Sequence, residues 1–153
     1  MITDANLLLA GQHKADGSIE PQTVTAAAVS SNAVDLRRPL DIGQGQPLFG
    51  RFQVHTAAAG GTSMEFQIIA ADNDALTTGL QVLGTTGPLA LAQHKAGARF
   101  ACAINPQIAS RAKRYLGARF VPQGTFTAGA YTADIGLEIQ DGQKAMPSGY
   151  TVI

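Results

Sequence analysis

Leu48-Phe49-Gly50-Arg51-Phe52-Gln53-Val54-His55 is the stretch that decides the fold. Its even positions, Leu48, Gly50, Phe52 and Val54, are apolar or small, while Arg51, Gln53 and His55 occupy odd ones. Successive side chains of a strand point to opposite faces, so the run predicts a strand with one face in a core and the other in water. The next run repeats the pattern: Met64, Phe66, Ile68 and Ala70 alternate with Glu65 and Gln67. Between them, Ala57-Ala58-Ala59-Gly60-Gly61-Thr62-Ser63 supplies small residues and the glycines a reversal uses. The two runs are therefore expected to form an antiparallel pair, with Phe52, Phe66 and Ile68 in the core.

Working outward, further strands are expected at 81–83, 99–104, 115–121 and 126–139, and weaker ones at 7–9 and 23–36. In the second of these, Ala98, Phe100, Cys102 and Ile104 share the apolar face, which adds Phe100 to the expected core. About eight short strands separated by Gly, Pro, Asn and Asp predict an all-β fold, a sandwich, barrel or jelly roll. Helix has little room, because Glu and Lys are few and seventeen glycines interrupt the chain; only 76–83 or 106–113 could hold a turn or two. Residues 11–21 read as loop. No repeat or shift of composition divides the chain, so residues 1–153 are read as one domain, a length that suffices for one closed core.

Composition narrows the function. The 45% hydrophobic content leans on alanine and includes no Trp, so the core should be thin. Eleven basic residues against eleven acidic leave no net charge, which removes the electrostatic argument for a nucleic-acid partner and suits a surface that associates. Met1-Ile2-Thr3-Asp4 places an acid where a signal peptide carries basic residues, and Leu7-Leu8-Leu9-Ala10 is too short for a membrane span. Export and membrane insertion are not expected, and a lone Cys102 fits synthesis in a reducing cytoplasm.

No residue pattern announces chemistry. His13, His55 and His94 share no metal-ligand spacing with each other or with Cys102. His55 is read as a solvent-side strand residue, His13 and His94 as loop residues, and Cys102 as a small buried hydrophobe rather than a nucleophile. Asp72-Asn73-Asp74 lacks the rest of a calcium loop and is read as a turn held by its own side chains. Nucleophile-elbow, phosphate-loop and dinucleotide motifs are missing from the sequence. The chain is read as no enzyme, with no catalytic residues, cofactor or metal.

Four stretches carry a family likeness: Val34-Asp35-Leu36, the following Asp41-Ile42-Gly43-Gln44-Gly45-Gln46-Pro47-Leu48-Phe49, then Arg114-Tyr115-Leu116-Gly117, and finally Pro147-Ser148-Gly149-Tyr150-Thr151-Val152-Ile153. In their order and separation the chain resembles the jelly-roll capsid cement (decoration) proteins of tailed bacteriophages. It departs from that pattern in the longer 11–21 stretch and in the bulk of Arg37-Arg38-Pro39-Leu40. The resemblance implies an all-β, single-domain, jelly-roll-like antiparallel β-sandwich of about eight strands, and a homodimer or homotrimer, made in the host cytoplasm, that binds the exterior of the mature head and bridges subunits of the major capsid protein.

The candidate capsid or self-association interface follows from chemistry. Leu7, Leu8 and Leu9, and at the other end Pro147, Tyr150 and Val152, would make poor free tails in water unless they dock, on the shell or within the oligomer. Arg111, Lys113 and Arg114 form the densest basic patch and would suit an acidic surface on a partner. The alternative reading is a carbohydrate-binding or host-attachment jelly roll, which would want exposed aromatics from a chain with three Tyr. A cupin-type enzyme would need clustered His and Glu, for which only His55 and Glu65 stand as candidates.

Overall fold

A computed structural model of the chain describes residues 5–39, 47–105 and 112–137. Twelve strands occur among them: β1 (Leu8–Ala10), β2 (Gln12–His13), β3 (Ile19–Glu20), β4 (Gln22–Thr23), β5 (Ala28–Val29), β6 (Val34–Asp35), β7 (Phe49–Gly60), β8 (Ser63–Ala71), β9 (Gln81–Ala90), β10 (Arg99–Ala103), β11 (Tyr115–Gln123) and β12 (Phe126–Gly136). One sheet runs β1-β12-β7-β10 with β4 also on β12, and the other runs β5-β11-β8-β9 with β6 also on β11. All pairings are antiparallel. Since β1 and β4 share one neighbour, as do β5 and β6, each sheet reduces to four strand positions, eight in all. Apart from the β8–β9 hairpin, each step along the chain from one position to the next crosses to the other sheet, which is the connectivity of a jelly roll.

That connectivity corrects one expectation. β7 and β8 do not pair; β7 lies between β12 and β10, and β8 between β11 and β9. Gly60 and Gly61, at φ 70° and 67°, carry the chain across the gap between sheets, so the two alternating runs face each other through the core. The Phe52 and Phe66 rings stack at 4.9 Å, one from each sheet. Alternation specifies which face of a strand is buried and is silent on which strand lies beside it.

The inward faces of β7, β8, β11 and β12 supply Phe52, Phe66, Phe120 and Tyr131, all buried, with Met64, Val54, Ile68 and Leu83 filling between them. Phe100 is half-buried and stacks on Phe66 at 5.6 Å. The core is thin where glycine lets the sheets close: a Cβ on Gly50 would drive into the Ile68 side chain. A second, smaller cluster lies on the outer face of the other sheet, where Leu76 from the 72–80 loop folds over Ile69 and Ala71.

Other boundaries moved for local reasons. The 11–21 stretch is the β2–β3 hairpin, closed by a turn in which Asp16 accepts from the Ser18 backbone and hydroxyl. The expected strand at 81–83 extends to Ala90 despite Gly84, Gly87 and Pro88, because β9 is an edge strand and a missing donor costs little there. The weak 23–36 segment breaks into β4, β5 and β6; the Gln22 side chain bridges the break, donating to the Val29 carbonyl and accepting from Ser31 N–H. Of the two places left for helix, 76–83 holds bends and the start of β9, while most of 106–113 lies outside the described residues.

Candidate interaction surfaces

Two of the stretches that carried the family likeness meet. β6 pairs with β11 so that Asp35 lies opposite Tyr115 and Val34 opposite Leu116. The register sets Arg114 beside Asp35, with Nε 2.7 Å from Oδ1 and Nη2 2.8 Å from Oδ2. The guanidinium also lies 4.9 Å over the Tyr115 ring. Hydrogen bonding to Arg114 holds the Asp35 carboxyl at about 2, well below the usual carboxylate value. One residue earlier, the Lys113 ammonium contacts both carboxylate oxygens of Asp72 at 3.0 and 2.9 Å. Asp72 opens the turn expected of Asp72-Asn73-Asp74, in which Asn73 Oδ1 accepts from the Thr77 and Thr78 N–H groups.

The surroundings of the basic patch are corrected: its described members have partners inside the domain. Lys113 and Arg114, expected to reach for an acidic partner, already pair with carboxylates of their own domain, because strand register delivers Asp35 and the 72–78 turn delivers Asp72. Arg111 lies outside the described residues. The leucine triplet is corrected as well. Leu8 and Leu9 are buried in the domain's own core, β1 being hydrogen-bonded to β12 on one side and held on the other by Asn32. Asn32 donates from Nδ2 to the Leu8 and Gly11 carbonyls and from its backbone to Leu9. These two side chains need no partner to escape water. Leu7, just before β1, remains half-buried.

Leu7 marks the rim of a feature the sequence did not announce. One end of the sandwich holds an open groove of about 350 Å³, lined by Leu7, Val34, Leu36, Leu48, Ile104, Leu116, Ile135, Gly136 and Leu137. Its walls are almost wholly apolar. Leu137, immediately after β12, is 57% exposed at its lip. Pro147, Tyr150 and Val152 lie outside the described residues.

The remaining polar groups are structural in geometry. Arg51 and Asp134, directly opposite on β7 and β12, make a two-pronged ion pair of 2.7 and 2.9 Å on the outward side of their sheet. Only 7% of the Asp134 side chain is exposed. The sequence reading left Asp134 unremarked, although a lone acid inside the apolar run Ala130-Tyr131-Thr132-Ala133-Asp134-Ile135 is itself a signal of a buried pair. His55 is exposed as expected, 3.2 Å from Thr132 Oγ1. His94 follows a short 3-10 turn at Leu91–Gln93, yet it is buried among Phe66, Phe100 and Tyr131. Its Nε2 lies 3.2 Å from the Leu89 carbonyl while Nδ1 has no partner, and burial lowers its pKa. No periodicity surrounds His94, so nothing local foretold its place. Cys102 is buried beside Gly50 and Ile68, and burial pushes its thiol up to about 11, far from nucleophilic. Among the described residues, no three His, Cys, Asp or Glu side chains converge as a metal ion would require.

The architecture defines a single-sandwich, antiparallel jelly roll, the class that capsid and lectin domains share. Within it, the chain belongs to the Bbp16 family, which matches residues 19–135, from β3 almost to the end of β12. The family name points to phage-related proteins. No curated protein matches the chain.

Proposed function

We propose that the chain is a phage capsid cement protein, which binds the outer surface of the mature head as a homo-oligomer and holds neighbouring major capsid subunits together without catalysing a reaction. Membership of the Bbp16 family, coinciding with a jelly-roll sandwich over the matched residues, is the observation that carries this reading. The physics of the domain is compatible with it. A stack of rings joins the two sheets, and the Arg51–Asp134, Arg114–Asp35 and Lys113–Asp72 pairs fasten strands and loops to one another, so the body can transmit load between neighbours. Many copies, each with a modest interface, add up to a large stabilisation of a shell.

Heads assembled without the protein, mixed with the purified full chain and sedimented, test the proposal. Saturable co-sedimentation, with heads that resist heating better once decorated, is the expected result. Failure to bind heads under conditions where the chain is folded would remove the cement role. Binding to host surface glycans instead would move the assignment to an attachment domain of the same fold.

A further inference from the structure

We infer that His94 is an acid-released clasp: protonating its ring frees the 91–98 connection while the two sheets stay folded. That connection joins β9 to β10, the edge strands of opposite sheets, and so closes one side of the sandwich with the chain itself. It is tethered to both layers, Leu91 N–H donating to the Thr62 carbonyl and Gly97 N–H to that of Val54 in β7. His94 is its one buried side chain; Leu91 and Ala98 are half-buried and the rest are exposed. The imidazole lies 5.4 Å from Phe66 of β8, 5.3 Å from Phe100 of β10 and 6.2 Å from Tyr131 of β12, so a single ring touches both sheets.

The hydrogen bonding of the ring suits only its neutral form. A carbonyl can only accept, so Nε2, 3.2 Å from the Leu89 oxygen, carries the proton and Nδ1 is bare. Nδ1 is buried and has no partner among the described residues. A second proton there would create a donor without an acceptor and a full charge among aromatic rings, whose faces attract a cation yet leave that donor unmet. No carboxylate on the elements packed against the ring is turned toward it. Of the inward titratable groups on those elements, burial holds Tyr131 up at about 12 and Cys102 at about 11, so both are neutral near pH 7. Glu65 on β8, Arg51 and His55 on β7, Arg99 on β10 and Asp134 on β12 belong to the outward faces of their strands, β9 carries no titratable side chain, and Lys95 is exposed. Released into water, the ring regains an ordinary pKa of ~6.5, whereas burial keeps it lower in the closed state. Opening therefore takes up a proton, and its equilibrium should grow by up to about tenfold for each pH unit below ~6.5. The inference is independent of the cement role.

The test is amide hydrogen exchange of the full chain from about pH 7.5 to about pH 5, corrected for the intrinsic pH dependence of exchange, beside an NMR titration of the His94 ring. Protection of the His94, Gly97 and Ala98 amides should fall by up to about tenfold per pH unit below ~6.5. At every pH it should stay at least about tenfold below that of β8, because the clasp opens without the sheets. His94→Gln should remove the pH dependence from the three amides. Constant protection while His94 titrates in place would overturn the inference, as would protection equal to that of β8 throughout, or a parent-like pH dependence in His94→Gln. If that variant folds poorly, the parent decides alone: the loss of protection must follow the titration of the His94 ring, and a midpoint set by another group would refute the clasp.

Discussion

Replacing Phe66 by Ala takes out the ring on which the core converges. Phe66 is fully buried, and five rings lie within contact of it: Phe52 at 4.9 Å, Tyr131 at 5.3 Å, His94 at 5.4 Å, Phe100 at 5.6 Å and Phe120 at 5.8 Å. Phe→Ala in a core costs about 3–5 kcal/mol, the cost rising with the volume that cannot collapse. Here collapse is resisted from both sides, because Phe52 and Tyr131 belong to one sheet and Phe120 to the other, and each sheet is fixed by its own ladder. The loss should fall at the upper end, about 4–5 kcal/mol, with each lost ring pair adding to the transfer term. Phe100→Ala removes a half-buried ring from β10, an edge strand, and should cost less than half as much. The assay is urea unfolding of both variants and the parent at one protein concentration, because any self-association would make the midpoint concentration-dependent. A Phe66→Ala midpoint within experimental error of the parent, or a larger loss for Phe100→Ala, would refute the account of the core.

Three further outcomes follow from the polar groups. Asp134→Ala strands the Arg51 guanidinium on a covered face and should cost about 3 kcal/mol, whereas Arg51→Leu with Asp134→Leu should recover most of it; equal losses for the single and double variants would argue against a coupled pair. Burial lowers the pKa of His94 in the folded state, so the unfolded chain binds the proton more readily. Stability should be complete above about pH 6.5 and fall as the pH drops below it, with part of that slope lost in His94→Gln, as urea midpoints across the range will show. His55, whose pKa is also lowered by burial, contributes in the same direction. Cys102, with its buried thiol, should resist an aromatic disulfide reagent at pH 8 until urea unfolds the chain, and reaction of the native protein within minutes would contradict its placement.

What could be read from the residues was whatever depends on one strand at a time. The alternation at 48–55 and 64–70 correctly assigned Phe52, Phe66 and Ile68 inward, because side-chain period is a local property. The eight strand positions were legible for the same reason. Which strands neighbour each other was not, and the mistaken β7–β8 pair came from treating a glycine-rich reversal as a hairpin when it bridges two sheets. Leu8 and Leu9 were misjudged by the same limit: a short run buried on both faces looks like an exposed tail until β12 and Asn32 are seen beside it. Lys113 and Arg114 looked unpartnered because their carboxylates lie forty or more residues away in sequence, joined only by the β6–β11 register and the 72–78 turn. The groove was invisible altogether, being made of ends that only the closed sandwich assembles.

The short strands β1 to β6 have a consequence for how the domain opens. β1 and β4 occupy one margin of one sheet and β5 and β6 one margin of the other, two or three residues at a time, with the β2–β3 hairpin between β1 and β4, whereas β7 to β12 are mostly of nine to twelve residues and interlock by themselves. Residues 8–35 therefore form a flap whose release bares the margins of β11 and β12 together while the rest of the sandwich stands. Amides of the flap should exchange with solvent in openings smaller than global unfolding, and those of β7 and β8 only in the largest. Two bared margins on one molecule are also a template that the flap of another copy can fill with identical pairings, so the fold carries within it a route to an exchanged dimer.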